Sequence, residues 1–401
     1  MNPDLAHLQP YPFEKLAQLK QGITPPADLP HIALSIGEPK HAAPDFVAKA
    51  LIRELHHLST YPSTAGLPQL RAAIAAWATR RFQLKPGTLT AEQHILPVSG
   101  TREALFSFVQ AVIDRNRSPL VLAPNPFYQI YEGAAFLAGA EPYFLACDAA
   151  NRYLPDFDAV PAEIWQRCQI LFICSPGNPT GAVIPRETLS RLIELADRHD
   201  FIIASDECYS EIYPDEQNPP PGLLQVCGEL GRDDYARCVV FHSLSKRSNL
   251  PGLRSGFVAG DARILSQFLK YRTYHGCALP IQVQMASIAA WEDEAHVVEN
   301  RRLYRAKFET VLDILGDVLD VSAPDAGFYL WPRTPIADDL FAQELFARQN
   351  VTVLPGQYLS REVQGHNPGS GHCRLALVAS IEECIEAAQR IRSFVESGRL
   401  A

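Results

Sequence analysis

The sequence lacks most of what would mark it for a membrane, for export or for nucleic acid. No apolar run approaches the roughly 18 residues that a membrane-spanning helix needs. The stretch from Met1 to Lys15 has neither a basic start nor an apolar core, so no secretory leader is expected and a soluble, cytoplasmic protein is. Positive charge is in deficit: 36 Lys and Arg against 45 Asp and Glu leave a formal net charge of -9 and a pI near 5.8. That balance argues against nucleic acid as the main partner, since such surfaces are usually basic. Cys-x-x-Cys is absent. The nine cysteines are scattered between Cys147 and Cys384, which suits free thiols in a reducing compartment better than a disulfide framework or a zinc site. Gly-x-Gly-x-x-Gly is also absent, which removes the fingerprint of a nicotinamide-dependent dehydrogenase.

What is there is a chain of 401 residues, 47% hydrophobic and 20% charged. A chain this long can bury a large core without disulfides or a structural metal, and its length suits two domains. Residues 1–30 are rich in proline and turn formers and read as an arm. Helical spacing covers Ala43 to His57, Leu70 to Phe82, with Leu70, Ile74 and Trp77 on one face, and Thr101 to Ile113. Short apolar strands are predicted at Ile95 to Val98, Pro119 to Ala123, Gln169 to Cys174, Phe201 to Ala204, Cys238 to His242 and Ser255 to Gly260, with a helix at Arg186 to His199. Such alternation predicts a mostly parallel sheet covered on both faces, with ligands beyond the carboxyl ends of its strands. The polar, proline-rich Asp215 to Asp234 is expected to be an exposed loop. Ser287 to Leu319 reads as long helices. Short strands at Gly327 to Trp331, Val351 to Leu354 and Cys373 to Val378, then a helix from Ile381 to Glu396, predict a smaller α+β lobe. The division expected is 1–42 for the arm and part of the small domain, 43–286 for the large domain and 287–401 for the small one.

Three motifs each follow an apolar strand. Ser243-Leu244-Ser245-Lys246 continues to Arg254-Ser255-Gly256. Hydroxyls with an arginine suit a phosphate, and a lysine among small residues suits covalent capture of a carbonyl. Only eight of the 36 basic residues are lysine, so one placed here is poorly explained as surface decoration. Ser243-x-x-Lys246 also matches a motif of penicillin-recognising serine enzymes, but their Ser-Asp-Asn and Lys-Thr-Gly are missing. The second motif, Ser175 to Gly181, is a tight turn that projects the Asn178 amide towards the sheet edge. The third, Ser205-Asp206-Glu207-Cys208-Tyr209, ends a strand on a carboxylate that by itself reads as a cap.

Together these motifs resemble the class I/II aminotransferases, the fold-type I enzymes dependent on pyridoxal 5'-phosphate (PLP), along nearly the whole chain. The resemblance implies a PLP-dependent transferase fold with a mostly parallel, seven-stranded-type sheet between helices and a smaller α+β domain drawn from both termini. It implies that Lys246 bonds to PLP and then shuttles the proton, that Asp206 partners the pyridinium nitrogen, and that Asn178 and Tyr209 donate to the phenolate oxygen. Ser243, Ser245 and Arg254 are implied as phosphate ligands, joined by the turn Gly100-Thr101-Arg102 at a helix start. Tyr128 is implied as the ring that stacks on the pyridine. Tyr61 resembles a tyrosine that reaches the neighbouring subunit's phosphate, which implies a homodimer with shared active sites.

For the substrate, Arg374 in an apolar strand needs a carboxylate partner and resembles the arginine that grips the α-carboxylate. Gly37, in Ser35 to Pro39, resembles the turn whose amide helps. Leu8 to Leu16, Tyr274 to Pro280 and Asp325 to Trp331 resemble the bacterial N-succinyldiaminopimelate aminotransferases, with glutamate as the expected donor. Aspartate, alanine and aromatic aminotransferases and a PLP-dependent β-lyase share much of this frame. A long acyl-diacid needs contacts beyond Arg374; Arg102, Arg247, Arg272 and Arg361 are available. A regulator on the same fold would need a DNA-binding domain, and no basic segment suggests one.

Overall fold

The computed structural model of the chain describes residues 1–398. After a short β1 (Ile32–Ala33), seven strands build the central sheet: β2 (Ile95–Val98), β3 (Leu120–Asn125), β4 (Glu141–Ala146), β5 (Cys168–Cys174), β6 (Ile202–Asp206), β7 (Cys238–Ser243) and β8 (Gly256–Gly260). Their order across the sheet is β2-β8-β7-β6-β5-β3-β4. The pairs β3–β4, β3–β5, β5–β6 and β6–β7 are parallel, while β8 runs antiparallel to both β2 and β7. The mostly parallel sheet expected from the sequence is therefore present, with one strand reversed.

Strand alternation divides the core between two layers. In β5, Leu171 and Ile173 face the cluster that contains Trp77, Leu192 and Phe201. Ile170 and Phe172 face the opposite cluster, with Phe108, Tyr131 and Phe268. Both faces are covered by helices, which is why these strands read as continuous apolar runs. The edge strand β4 is half exposed and carries Pro142, a residue tolerated where the backbone donor is not needed. No apolar run announced it.

The second lobe contains β9 (Tyr329–Leu330), β10 (Val351–Thr352), β11 (Leu354–Pro355) and β12 (Cys373–Ala376), in an antiparallel sheet β11-β12-β9 and a parallel pair β1-β10. The chain before residue 42 thus closes onto the C-terminal strands: Ala376 donates to the Leu34 carbonyl at 2.7 Å. That pairing sets Ser35 to Gly37 beside Arg374. Leu34, Leu315, Phe341, Leu375 and Phe394 form the core of this lobe. The helices Ile281–Glu292 and Ala295–Leu315 lie where long helices were expected.

Two expectations need correction. Asp215 to Asp234 is not simply an exposed loop. It contains the helix Leu223–Glu229, whose Leu223, Leu224, Val226 and Cys227 are buried; the flanking prolines and acids mask one apolar turn. The N-terminal arm is itself structured, with the helix Pro12–Leu19 burying Leu16 and His7 stacked on Phe136 at 5.3 Å. Among the described residues no helix is long and apolar enough to cross a membrane, and all nine cysteines are free.

Candidate active site

The carboxyl ends of the sheet strands deliver the chemistry-bearing residues to one rim. Asp206 is the last residue of β6, and Lys246 lies in the turn Leu244–Arg247 that directly follows β7. Asn178 follows β5, and Thr101 opens the helix Thr101–Val112 just beyond β2. Because β8 is reversed, Arg254 at its amino end reaches the same rim. A cavity of about 570 Å³ opens there. Of the residues singled out in the sequence, Gly37, Thr101, Arg102, Tyr128, Asn178, Asp206, Tyr209, Ser243, Ser245, Lys246, Arg254 and Arg374 line it. Gly100 adjoins it at the helix start. Tyr61 does not line it and stands on the surface, 99% exposed.

The Lys246 ammonium donates to the Gly37 carbonyl and sits 5.3 Å from the Phe328 ring centroid. Burial pulls its pKa down to about 8, with Arg374 and Arg102 reinforcing the shift and Cys208 and Glu38 opposing it. Roughly a tenth of the amine is then uncharged at pH 7 and about half at pH 8, and the uncharged form is what a carbonyl-capturing lysine needs. Asp206 is 5% exposed. Burial raises its carboxyl above the usual range, opposed by donors from Cys208 and Tyr131. Tyr131 donates to Asp206 Oδ2 at 2.9 Å.

Arg374 is 4% exposed. It donates to Asn178 Oδ1 at 2.9 Å and to the Ser35 carbonyl at 2.6 Å, and lies 4.6 Å from the Tyr329 ring centroid. Its Nε is buried without a partner. All of these contacts are neutral, so the structural salt bridge that could have explained a buried arginine is absent among the described residues. A buried cation with an unused donor on a cavity wall implies an anionic ligand.

At the opposite wall Gly100 has φ +83°, and a Cβ there would collide with the Arg254 guanidinium. The glycine leaves room for that cation at the N-terminus of a 12-residue helix, a place where backbone donors and the helix dipole favour an anion. Ser243 accepts from the Ser245 amide at 3.0 Å, which caps the Lys246 turn. Arg102 donates to the Tyr128 hydroxyl at 2.6 Å and lies 5.9 Å from the Tyr11 ring centroid. The Tyr209 and Tyr329 hydroxyls are 3.1 Å apart.

Several lining or supporting residues had not been singled out. Tyr329 stands inside a segment read as a strand and as part of the resemblance over Asp325 to Trp331, with no role of its own. Tyr131 lies one helical turn beyond Tyr128, and that spacing was its only signal. Tyr11, Glu38 and Cys208 also line the cavity.

The family model for aminotransferase class I and II matches residues 30–391. This chain belongs to that family. It is a PLP-dependent transaminase. Among curated relatives, the LL-diaminopimelate aminotransferase of Syntrophobacter fumaroxidans is 33% identical over 392 residues, covering 96% of each chain. That of Nitratidesulfovibrio vulgaris (Hildenborough) is 34% identical over 399 residues, covering 96% of this chain and 97% of the relative. An aminotransferase from Neisseria meningitidis Z2491 superposes with a TM-score of 0.94 at 50% identity, covering 98% of this chain and all of that one. The probable N-succinyldiaminopimelate aminotransferase from Thermus thermophilus gives 0.83 at 28% identity, covering 95% and 99%.

The transaminase site fits its cofactor on structural grounds: a glycine cradle beside Arg254 for a phosphate, a buried amine for the carbonyl, and a buried carboxylate for the ring nitrogen. PLP, when bound, supplies an electron sink for the carbanion formed at the substrate's α-carbon. The chain's own work is to grip, orient and move one proton.

Proposed function

We propose that this transaminase moves an amino group from glutamate to N-succinyl-2-amino-6-oxopimelate, the succinyldiaminopimelate transaminase step of diaminopimelate and lysine biosynthesis. In this reading Lys246 holds the cofactor and carries the proton, Asp206 faces the ring nitrogen, and Asn178 and Tyr209 face the phenolate oxygen. Tyr128 stacks on the ring. The turn Gly100-Thr101-Arg102 with Ser243, Ser245 and Arg254 receives the phosphate. Arg374 and the Gly37 turn grip the α-carboxylate.

The observation that supports a long diacid is the fate of the four spare arginines. Arg247 is spent on the Ala290 and Asp293 carbonyls and Glu294. Arg272 is spent on Glu103 and the Cys277 carbonyl. Arg361 makes a two-pronged pair with Glu132 at 2.8 and 2.6 Å. Only Arg102 of the four lines the cavity, where Tyr11, Phe13 and Ile36 add apolar surface. A succinyl arm lying on those rings would bring its carboxylate to Arg102.

A second reading, free LL-diaminopimelate as substrate, draws on the relatives of that name and on Glu38, a lining carboxylate able to meet a distal ammonium. Parallel turnover assays decide between them. Glutamate-dependent amination of the succinylated keto acid, lost about tenfold or more in Arg102→Ala, supports the first. Efficient turnover of LL-diaminopimelate with 2-oxoglutarate, and none of the succinylated substrate, overturns it. Pyruvate release from a cysteine-type substrate without any keto acid would move the chain to the β-lyase reading.

We also propose a homodimer in the reducing cytoplasm. Ile52, Leu55, Leu58 and Tyr61 are exposed at 66%, 45%, 72% and 99%, an apolar strip that a second copy would cover. Tyr61 would then reach the partner's phosphate. A chain that elutes as a monomer at micromolar concentration with full activity removes this proposal. The domain division 1–42, 43–286 and 287–401 is kept with one change. Position 287 lies within the helix Ile281–Glu292, so the break after it, at Asp293–Glu294, is the better boundary.

A further inference from the structure

Behind Lys246, away from the cavity residues named so far, runs a chain of buried polar groups. Lys307, on the helix Ala295–Leu315, is 2% exposed. Its ammonium reaches His41 Nε2 at 2.6 Å and the Leu377 carbonyl at 3.2 Å. His41 Nδ1 meets Asn300 Oδ1 at 2.8 Å. Asn249 Nδ2 donates to the same oxygen at 3.0 Å. Asn300 Nδ2 then points at two backbone carbonyls, those of Lys246 at 3.4 Å and Arg247 at 3.5 Å.

Burial pulls the Lys307 pKa down to about 8, so at neutral pH the side chain is mostly charged, and in that form it sets the direction of every bond in this chain. An ammonium has donors and no acceptor, so His41 Nε2 accepts and the ring proton sits on Nδ1. Nδ1–H therefore donates, and the atom facing it must be the amide oxygen of Asn300. That oxygen also receives Asn249, so the Asn300 amide nitrogen can only turn towards Lys246. Asn300 itself is 2% exposed and Asn249 is 9% exposed; neither has water to fall back on. Within this polar chain only Asn249 Oδ1 lacks a partner, and a buried polar chain so nearly matched favours one arrangement over alternatives.

The same short stretch of chain meets Lys246 twice. The carbonyl of Gly37 takes the side-chain ammonium, and His41, four residues on, reaches the backbone of Lys246 through Asn300. Leu377, at the other end of the relay, follows the strand that carries Arg374. The cofactor lysine, the long helix and the carboxylate-gripping strand are thus tied into one polar unit.

We propose that Asn300, oriented by His41 and Lys307, is a positioning residue for transamination, holding the backbone of Lys246 so that its amine stays aimed into the cavity. This holds whichever keto acid is the acceptor. The test uses the holoenzyme with whichever donor and acceptor pair gives turnover. Asn300→Asp keeps the oxygen that accepts from His41 and Asn249 but removes the donors to Lys246. The expected result is a kcat lowered about tenfold, KM for both substrates within twofold of the parent, and full cofactor content. His41→Phe should lower kcat about threefold, and His41→Gln, which can still accept from Lys307 and donate to Asn300, should restore most of it. A kcat within twofold of the parent in folded, cofactor-loaded Asn300→Asp overturns the proposal, as does a rise in KM with kcat untouched. If Asn300→Asp does not fold, the His41 pair decides: equal kcat in the Phe and Gln variants overturns it.

Discussion

Tyr131 donates its hydroxyl to Asp206 Oδ2 at 2.9 Å from beneath the cavity floor, a contact in which both partners are buried. This bond offsets part of the cost of burying the carboxylate. Removing it in Tyr131→Phe should lower kcat several-fold while cofactor content stays full. Asp206→Ala should keep bound cofactor and lose at least about a hundredfold in kcat, because under the proposed assignment the ring nitrogen would lose its anionic partner. Equal rates in Asp206→Ala and the parent would remove the role assigned to Asp206.

The raised pKa of Asp206 also has a stability signature. Folding disfavours its charged form, so above the unfolded pKa of an ordinary aspartate the ionised group destabilises the cofactor-free protein. The expected result is that apo Asp206→Asn melts higher than the apo parent at pH 8, and that the gap narrows as the pH falls and the carboxylate of the folded parent protonates. Thermal melts of both proteins at several pH values check this. A parent that melts above the variant at pH 8 contradicts it.

Lys246 should govern how fast the apoprotein captures PLP. With its pKa near 8, the uncharged fraction rises about tenfold between pH 7 and pH 9. Stopped-flow absorbance should show the capture rate rising over the same window with a midpoint near 8. A midpoint above 10 would mean an ordinary exposed lysine. Lys246→Ala should abolish transamination altogether.

Arg374 carries a charge with no anion beside it. Arg374→Ala should lower kcat/KM for amino donor and keto acid alike by about a hundredfold or more, the scale of truncating one partner of a buried charge pair. Arg374→Lys should rescue little, since a lysine cannot reproduce the two-pronged grip. Loss confined to one of the two substrates would show that Arg374 holds a side chain rather than the shared α-carboxylate.

Gly37 is required by a neighbour, not by chemistry of its own. A Cβ there would overlap the Tyr329 hydroxyl, which pairs with Tyr209 at 3.1 Å. Gly37→Ala should raise KM and lower kcat several-fold, and Tyr329→Phe in the same chain should recover part of the loss by vacating the space. Losses that simply add in the double variant would argue against this steric coupling.

Much of this cavity's lining could be read from the chain because Asn178, Asp206 and Lys246, the groups proposed as catalytic, each follow an apolar strand that is buried on both faces. Asn178, Asp206 and Lys246 are fixed by β5, β6 and β7, whose continuous Val, Ile, Leu and Phe runs are unmistakable. The helix Leu223–Glu229 escaped notice because its apolar turn is short and lies among prolines and acids. Strand β4 escaped for the opposite reason, being half exposed at the sheet edge. Tyr131 and Asn300 were invisible for a third reason: their partners lie 75 and 54 residues away in sequence, and no local pattern encodes a hydrogen bond across the core. The four spare arginines show the same limit, since composition cannot tell which of them is already spent.

The reversed strand β8 works as a measured strut. Its first residue, Gly256, is level with both Val98 of β2 and Ser243 of β7, so it fixes the distance between the anion cradle at Gly100 and the turn that bears Lys246. Adding or deleting one residue in β8 would slide Arg254 by about 3.3 Å and turn the strand's side chains onto the wrong faces. A change in the length of a surrounding helix leaves this spacing intact, whereas a residue inserted in β8 would need a bulge to restore the count.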